Sequence, residues 1–284
     1  MLLAIDAGNT ETVVGLFALT DAQREAVTNA DGGVGIGAEA HPFHGLTHHW
    51  RLSSVPDRTA DEHAVLLTQL LDLEGLDVAE TVTGIAVCSS VPELTTTLRQ
   101  MAARWLSDRP CVILGPGTKS GMPILYDNPR EVGPDRVADA VGAFDLFGGP
   151  CIVVDLGTAT TFEVISAAGE YLGGAIMPGI AVGLDALYQQ AAALRRVELV
   201  EPRGVIGRTT AESIQSGALY GSGALVDGMC RLLQSELRTD ATTVATGGLA
   251  ELIAPYAQAI EHVEPWLTLH GLRIVYERNV GGTK

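Results

Sequence analysis

Two segments of this sequence end an apolar stretch in Asp-x-Gly and continue with hydroxyl and amide residues. Residues 1–5 lead into Asp6-Ala7-Gly8-Asn9-Thr10, and residues 151–154 lead into Asp155-Leu156-Gly157-Thr158. Each predicts a strand, a tight glycine turn and a second strand. Such a turn directs backbone N–H groups towards phosphate oxygens, and the aspartate can hold a cation or its bound water beside them. One copy alone fits an ordinary hairpin equally well, but two copies facing each other across a cleft indicate ATP-dependent phosphoryl transfer.

The composition is that of a globular protein with a sizeable core. The chain has 284 residues, 46% of them apolar and 18% charged, which is enough for two domains. The net charge of −16 argues against nucleic acid as a partner, although a small anionic substrate needs only a local basic pocket. No apolar run reaches the roughly 18 residues of a membrane span, and the chain begins directly with a strand-like segment. We therefore expect an unprocessed, cytoplasmic protein that does not enter a membrane.

The cysteines and histidines offer little chemistry. None of the cysteines has CxxC spacing, and three lie in or beside apolar β-like runs, which predicts burial in a reducing compartment. A glycine-rich segment contains a histidine group that suggests a metal site. No cysteine or helix fixes its geometry, so we expect a mobile loop and at most adventitious metal binding. The residues concerned are Cys88, Cys111, Cys151 and Cys230, and His41, His44, His48 and His49.

Hydrophobic periodicity predicts three strands before the first helix. We expect them at 1–6, 12–19 and His49–Leu52 as an antiparallel meander, with a flexible insertion over roughly 20–46. Thr59-Ala60-Asp61-Glu62 is a capping box that starts an amphipathic helix. Further elements are expected at 83–88 (strand), 92–106 (helix) and 111–114 (strand).

The second half repeats this order. Gly115-Pro116-Gly117 interrupts the pattern and predicts a domain boundary, giving domains 1–116 and 117–284. Because each half starts with three strands and continues with alternating helices and strands, we expect a duplicated α/β fold with mixed sheets. The expected elements are a helix at 133–147, strands at 151–154, 162–166 and 171–176, helices from Pro178-Gly179 to about Leu194 and from about Thr210 to Leu237, a strand at 243–246 and a helical tail at 266–278.

An ordered set of motifs resembles the type III pantothenate kinases of the acetate and sugar kinase, heat-shock ATPase and actin superfamily. Each motif is weak alone, but together they span nearly the whole chain apart from the insertion. The motifs are Asp6 to Thr10, Tyr126 to Arg136, Asp155 to Thr161, Gly173 to Gly179, Thr210 to Gly217, Thr246 to Leu249 and Leu267 to Leu272.

The resemblance implies a fold and an activity. The fold would be two ribonuclease H-like, actin-like domains with mixed sheets flanked by helices. The activity would be ATP-dependent phosphorylation of pantothenate to 4′-phosphopantothenate, which begins coenzyme A synthesis. The family also implies Mg²⁺, a monovalent cation (potassium or ammonium) and a homodimer. The first domain would carry the phosphate loop, and the second the acceptor site and the dimer helices.

The family pattern also assigns roles to residues. The Asp of Gly-x-Asp-Arg, here Asp135, would be the general base, because a kinase needs a carboxylate within reach of the attacking hydroxyl. Asp155 would serve the monovalent cation, and Asp6 would organise Mg²⁺ through water. The pantothenate-binding positions would be Tyr126, Gly133, Pro134, Asp135, Arg136 and Thr210, with Thr210 reaching the site from a neighbouring subunit. The ATP-binding positions would be Asp6, Ala7, Gly8, Asn9, Thr10, Glu11, Thr12, Val13 and Thr158.

Structural alternatives stay open for several of these residues. Asp135 fits a helix start and Thr210 fits a helix N-cap, while Tyr126 fits a packing role. Gly247-Gly248 after a strand would let the backbone approach adenosine, or would form a simple strand-to-helix turn.

Two residues depart from the family pattern. Glu11 stands where a neutral residue is usual, so its charge would cost energy beside phosphates unless it points away or joins the cation site. Pro134 replaces the usual Ala and removes an N–H donor, which is harmless only at a helix start. No P-loop lysine pattern is present. The alternatives to a pantothenate kinase are a kinase of another small hydroxy acid or sugar, and a nucleotide-binding family member without turnover.

Overall fold

The computed structural model describes residues 1–19 and 45–280. Most of the predicted insertion, together with His41 and His44, lies outside these residues. The described chain forms two compact units. The first unit contains Met1–Met122, Asp127–Gly142 and the segment from Thr268, and the second contains Pro123–Tyr126 and Ala143–Leu267.

The first unit is built on a five-stranded sheet in the order β3-β2-β1-β4-β5. Strands β1, β2 and β3 form an antiparallel meander, and β4 and β5 add in parallel beside β1. Their bounds are β1 Leu2–Ala7, β2 Glu11–Phe17, β3 Leu46–Ser53, β4 Gly84–Ser89 and β5 Cys111–Ile113. The predicted meander is confirmed, but β3 begins before His49.

Two amphipathic helices cover one face of this sheet. Helix α1 (Ala60–Leu73) begins with the predicted capping box of Thr59 and Glu62, and α3 (Pro92–Trp105) carries its proline in the first turn. A short helix, α2 (Val78–Thr81), lies between them in sequence. The core joins alternate residues of β1 to the apolar stripes of α1 and α3, and includes Leu3, Ile5, Leu67, Leu71, Leu94 and Leu98.

The C-terminal helix α8 (Leu267–Val280) also belongs to the first unit from Thr268 onward. It packs against the sheet where glycines leave room. A Cβ on Gly84 would lie 1.9 Å from the Tyr276 hydroxyl, and one on Gly15 would lie 2.7 Å from a Leu269 methyl. A side chain at either position would therefore have to displace the Tyr276 or the Leu269 side chain of α8.

The second unit repeats the sheet of the first. Its order is β10-β9-β6-β7-β8, with β6, β7 and β8 antiparallel and β9 and β10 added in parallel beside β6. Read from the other edge, this is the topology of the first sheet, so the predicted duplicated α/β fold with mixed sheets is confirmed. The bounds are β6 Cys151–Leu156, β7 Ala159–Ile165, β8 Tyr171–Pro178, β9 Thr242–Thr246 and β10 His262–Val263.

Helices pack on the second sheet as well. The long helix Thr210–Leu237, α6, places apolar side chains on this sheet. Leu219 and Val226 of this helix form one core with Ile152, Val154 and Phe162 of the strands. The remaining helices are α4 (Pro134–Phe147), α5 (Ile180–Gln190), α6 (Thr210–Leu237) and α7 (Ala250–Ile253), with 3₁₀ turns at Pro129–Glu131 and Ala254–Tyr256.

Several sequence-based expectations need correction. Helix α5 ends at Gln190 and not near Leu194, because a hydrogen-bonded turn from Ala191 to Leu194 follows it. His48 and His49 lie in β3 and not in a loop, since the strand already starts at Leu46.

The cysteines also differ in part from expectation. Cys88, Cys151 and Cys230 are buried as predicted, and Cys230 lies in α6, the helix expected there. Cys111 is exposed, because it opens the short edge strand β5.

The compact units are not continuous in sequence. The residue where the predicted first domain ends, Pro116, lies inside the first unit. Residues 127–142 and those from Thr268 onward, which were expected in the domain 117–284, belong to the first unit by their contacts. Among the described helices, none combines the length and apolarity that a bilayer crossing requires.

Candidate active site

The first Asp-x-Gly segment forms the predicted turn between β1 and β2. The turn residues are Gly8, Asn9 and Thr10, and the Gly8 N–H donates to the Glu11 carbonyl at 2.9 Å. A Cβ on Gly8 would lie 3.1 Å from the same carbonyl, so the turn leaves little space for a side chain there. Asn9 and Thr10 are exposed.

The residues after this turn are tied to the neighbouring strand. The Ser54 N–H donates to the Thr10 carbonyl at 3.0 Å, and the hydroxyls of Thr12 and Ser54 lie 2.9 Å apart. Thr12 is buried and Val13 half-buried. The Thr12 side chain is therefore engaged within the protein.

Glu11, the acidic departure from the family pattern, is paired with a cation. Arg51 on β3 donates to the Glu11 carboxylate at 2.6 Å, and both side chains remain partly exposed. This pair offsets the negative charge of Glu11. The pairing follows from the antiparallel register, which sets Glu11 opposite Ser53 and close to Arg51.

Asp6 lies at the end of β1 and contacts the end of β4. The parallel register pairs Asp6 with Cys88, and the Cys88 thiol lies 3.2 Å from Asp6 Oδ1. Burial raises the pKa of the Cys88 thiol well above its ordinary value, and the charges of Asp6, Asp135 and Asp139 raise it further. The thiol is therefore a neutral donor, and three carboxylates of the first unit act on it.

Asp135 lies in the first turn of α4, where an acidic side chain is favourable. Its Oδ1 accepts the Arg136 N–H at 2.9 Å. A Cβ on Gly133 would lie 2.3 Å from that oxygen, so only glycine allows the carboxylate to fold back here. Pro134 is the first residue of α4, where a missing N–H costs no helical hydrogen bond. Arg136 is buried.

Asp139 is a residue that the sequence analysis missed. It is one helical turn after Asp135, is 1% exposed, and accepts a hydrogen bond from the Thr268 hydroxyl of α8 at 2.7 Å. Helix α8 approaches closely at this point, since a Cβ on Gly271 would lie 1.9 Å from the Ala138 carbonyl. The available signal was the i, i+4 spacing of two aspartates, which sets them on one side of a helix.

The second Asp-x-Gly segment forms a shorter turn between β6 and β7. Its Gly157 N–H donates to the Ala159 carbonyl at 3.0 Å, and Thr158 is exposed. Asp155 is half-buried and lies against Gly247, where a Cβ would come within 2.2 Å of Asp155 Oδ1. Gly247 also has φ +89°. Glycine adopts this left-handed conformation without strain, and its lack of a side chain leaves room for the Asp155 carboxylate.

Gly179 supports the back of the second turn. Its N–H donates to the Thr158 carbonyl at 3.1 Å. A Cβ on Gly179 would lie 2.4 Å from the carbonyl oxygens of both Gly157 and Thr158. The turn is therefore in direct backbone contact with the residue that follows β8.

Two further predicted acceptor residues, Tyr126 and Thr210, belong to the second unit. The Tyr126 ring packs edge-on against Tyr171 at 6.4 Å and close to Gly173, so the proposed packing role exists. The N-cap reading of Thr210 is wrong. The cap of α6 is Thr209, whose hydroxyl accepts the Glu212 N–H, and Thr210 is the first helical residue.

Thr210 borders a cavity of about 490 Å³ beside helices α5 and α6. Most of its walls are apolar, with leucines and glycines of both helices. Within the ranges 1–19 and 45–280, no group of three His, Cys, Asp or Glu side chains is arranged to hold a metal ion. His48 is instead stacked on Trp50.

The predicted residues thus divide between the units. The first unit contains Asp6 to Val13 and Gly133 to Arg136, and the charges of Asp6 and Asp135 act on one thiol. The second contains Tyr126, Asp155, Thr158 and Thr210. The first unit therefore contains both a glycine turn and a carboxylate in the first turn of a helix.

A solved Sinorhizobium meliloti protein described as a 2-dehydro-3-deoxygalactonokinase shares the fold, with a TM-score of 0.56 over 100% of this chain and 98% of that one, at 14% identity. Residues 2–232 match the family model of type III pantothenate kinases, and the chain belongs to that family.

Curated relatives agree in sequence over their full length. The type III pantothenate kinase of Moorella thermoacetica is 48% identical over 98% of this chain and 100% of its own. That of Streptomyces avermitilis is 46% identical over 100% of both chains.

Proposed function

We propose that this protein phosphorylates pantothenate to 4′-phosphopantothenate at the expense of ATP, the first step of coenzyme A synthesis, with Asp135 as the general base. The observation that carries the assignment is the full-length identity to relatives named type III pantothenate kinase. The acceptor segment from Tyr126 to Arg136 matches the family pattern except at Pro134, which favours pantothenate over another hydroxy acid.

The role of Asp135 follows from its chemistry and position. An attacking hydroxyl must lose its proton as the new P–O bond forms, and a carboxylate within hydrogen-bond reach accepts it. Oδ1 of Asp135 is oriented by the Arg136 N–H, so Oδ2 is the oxygen proposed to accept the proton. Arg136 offsets negative charge that develops at the phosphoryl group. Tyr126, Gly133, Pro134 and Thr210 complete the proposed pantothenate contacts.

The first turn is proposed to bind the ATP phosphates through its backbone N–H groups, and Thr158 to contact ATP from the second turn. One carboxylate, Asp6, suits Mg²⁺, because this ion retains several waters and binds through one or two carboxylates plus phosphate oxygens. When bound, Mg²⁺ neutralises charge on the phosphates. Asp155 is proposed to hold potassium or ammonium, since its carboxylate adjoins the backbone of Leu156 and Gly247.

The remaining parts of the proposal concern assembly and location. A homodimer would let Thr210 serve a neighbouring active site. A cytoplasmic location agrees with four cysteines without disulfide partners. The net charge of −16 favours neither nucleic acid nor an anionic membrane as a partner.

Turnover with pantothenate, Mg-ATP and potassium, compared with sodium, is the direct test. We expect phosphopantothenate with potassium and little with sodium, and Asp155→Asn should abolish this difference. Turnover with another acceptor alone would indicate a different kinase. Nucleotide binding without turnover of any acceptor would indicate a non-catalytic family member.

Asp135→Asn tests the base. The variant should fold normally and lose about 10²–10⁴-fold in kcat, the usual contribution of general base catalysis. Asp145→Asn, on the same helix and exposed, is the matched control and should keep its activity. Near-normal turnover of Asp135→Asn would show that the base is assigned wrongly.

A further inference from the structure

The last two residues of β4 and the residue after it contact the first Asp-x-Gly segment. Cys88, Ser89 and Ser90 reach Asp6, Ala7 and Asn9 of that segment, respectively. Neighbouring residues of a strand point to opposite faces, so these contacts approach the turn from different sides. None of the roles proposed above uses these three side chains.

Cys88 acts on the side chain of Asp6. Its thiol is fully buried and lies 3.2 Å from Asp6 Oδ1. The thiol hydrogen must point at this oxygen, because a protonated thiol beside a carboxylate is the donor of the pair. The contact fixes the rotation of the Asp6 carboxylate and so the direction of its second oxygen.

Ser89 acts on the backbone of the turn. Its hydroxyl is 2.7 Å from the Ala7 carbonyl, and it accepts the Val91 N–H at 3.0 Å. Ser89 is buried, so water does not compete for these bonds. The bonds tie the last residue of β1 to the start of α3.

Ser90 acts on the exposed part of the turn. The Asn9 amide donates to the Ser90 hydroxyl at 3.4 Å, which is the longest and weakest of the three contacts. Asn9 is exposed at the tip of the turn, so this contact restricts the tip.

We propose that Cys88, Ser89 and Ser90 are positioning residues that hold the turn from Asp6 to Asn9 in the conformation that binds the nucleotide. The proposal rests on the assignment of this turn to the ATP phosphates. A turn that is held before binding loses less conformational freedom on binding, which favours affinity. The principal member is Cys88, since of the three it is the one that contacts the Asp6 carboxylate.

Substitution of Cys88 separates this role from simple packing. Cys88→Ala removes the donor, whereas Cys88→Ser keeps a donor of similar size. Cys151→Ala is the matched control, because Cys151 is also a fully buried strand cysteine and has no hydrogen bond to a proposed site residue. Ser89→Ala can impair folding through its backbone bonds, so the Cys88 variants carry the test.

The measurements are the KM for Mg-ATP, the KM for pantothenate, and the ATP dissociation constant from calorimetry. Cys88→Ala should raise the KM for Mg-ATP and the ATP dissociation constant about tenfold, as expected for one lost hydrogen bond to a charged group. The KM for pantothenate should change by less than about twofold. Cys88→Ser and Cys151→Ala should stay within about twofold of the unmodified protein in all three.

Different results overturn different statements. If Cys88→Ala and Cys151→Ala affect ATP binding equally, the positioning role is wrong even when turnover is normal. If the unmodified protein binds ATP without phosphorylating pantothenate, the proposed reaction fails, and the calorimetric comparison still decides the positioning role. If the unmodified protein does not bind ATP, both proposals fail.

Discussion

The two Asp-x-Gly turns occupy the same place in two equivalent sheets but are held in different ways. In the first, Asp6 is paired in register with Cys88, and in the second, Asp155 is paired with Thr246. The first turn has three residues between its strands and the second has two.

Side chains hold the first turn, whereas glycines allow backbone contact at the second. The Ser54 N–H donates to the Thr10 carbonyl of the first turn, and the Ser54 hydroxyl contacts Thr12 just after it. The equivalent residue after β8 is Gly179. Its backbone lies in contact with the carbonyl groups of Gly157 and Thr158 in the second turn. The longer first turn leaves two polar residues exposed, Asn9 and Thr10. The two sheets therefore share a topology, but their turns present different side chains. The second turn should therefore tolerate added volume poorly, and the first should depend on specific polar atoms.

The largest effect is expected at Gly247. Gly247→Ala forces a side chain into a position with φ +89° and within 2.2 Å of Asp155 Oδ1. The free energy of unfolding should fall by about 2–6 kcal/mol, since backbone strain costs about 1–3 kcal/mol and overpacking another 1–3 kcal/mol. Chemical denaturation measures this loss. A normal unfolding midpoint would show that the second turn has more room than the contacts indicate.

A smaller effect should separate the two turns directly. Gly179→Ala should lower the free energy of unfolding by about 1–3 kcal/mol, because its Cβ would meet two carbonyl oxygens. Gly8→Ala should change it by less than about 1 kcal/mol, because the gain from a stiffer unfolded chain offsets one tight contact. Equal losses in both variants would contradict the proposed difference between the turns.

Local patterns predicted most of the fold and only part of the site. The bounds of α6 and the start of α1 followed from periodicity and caps, which are encoded within a few residues. The short α2, α7 and β10 have two to four residues each, too few to show a period. The contact of Cys88 with Asp6 joins residues 82 positions apart and depends on strand register, which no local pattern reports.

A third effect concerns the charge beside the first turn. Arg51→Ala should raise the KM for Mg-ATP about two- to fivefold, because the Glu11 carboxylate would then act on the phosphates unpaired, and exposed pairs are worth at most about 1 kcal/mol. The effect should shrink at high salt, and Glu11→Gln in the same chain should reverse it. Arg104→Ala, which breaks the exposed pair with Asp61, is the control. An equal effect in that control would exclude a local cause.

The smallest effect is a change in Tm from carboxylates at two helix starts, one in each unit. The Thr59 N–H and hydroxyl bonds lower the pKa of Glu62 at the start of α1. The Arg203 hydrogen bond, followed by the Arg208 N–H, lowers the pKa of Glu212 at the start of α6.

Each carboxylate therefore stabilises the folded state at neutral pH. That contribution is lost as the pH falls below the ordinary value of 4.5 and through the lowered pKa of the folded state. Glu62→Gln and Glu212→Gln should each lower Tm at pH 7, and the difference from the unmodified protein should vanish in acid. Added salt should weaken the effect at Glu212 more, since its main partner is a charged guanidinium, whereas Glu62 relies chiefly on neutral donors. An equal response to salt at both positions would show that the two helix starts are stabilised by the same kind of interaction.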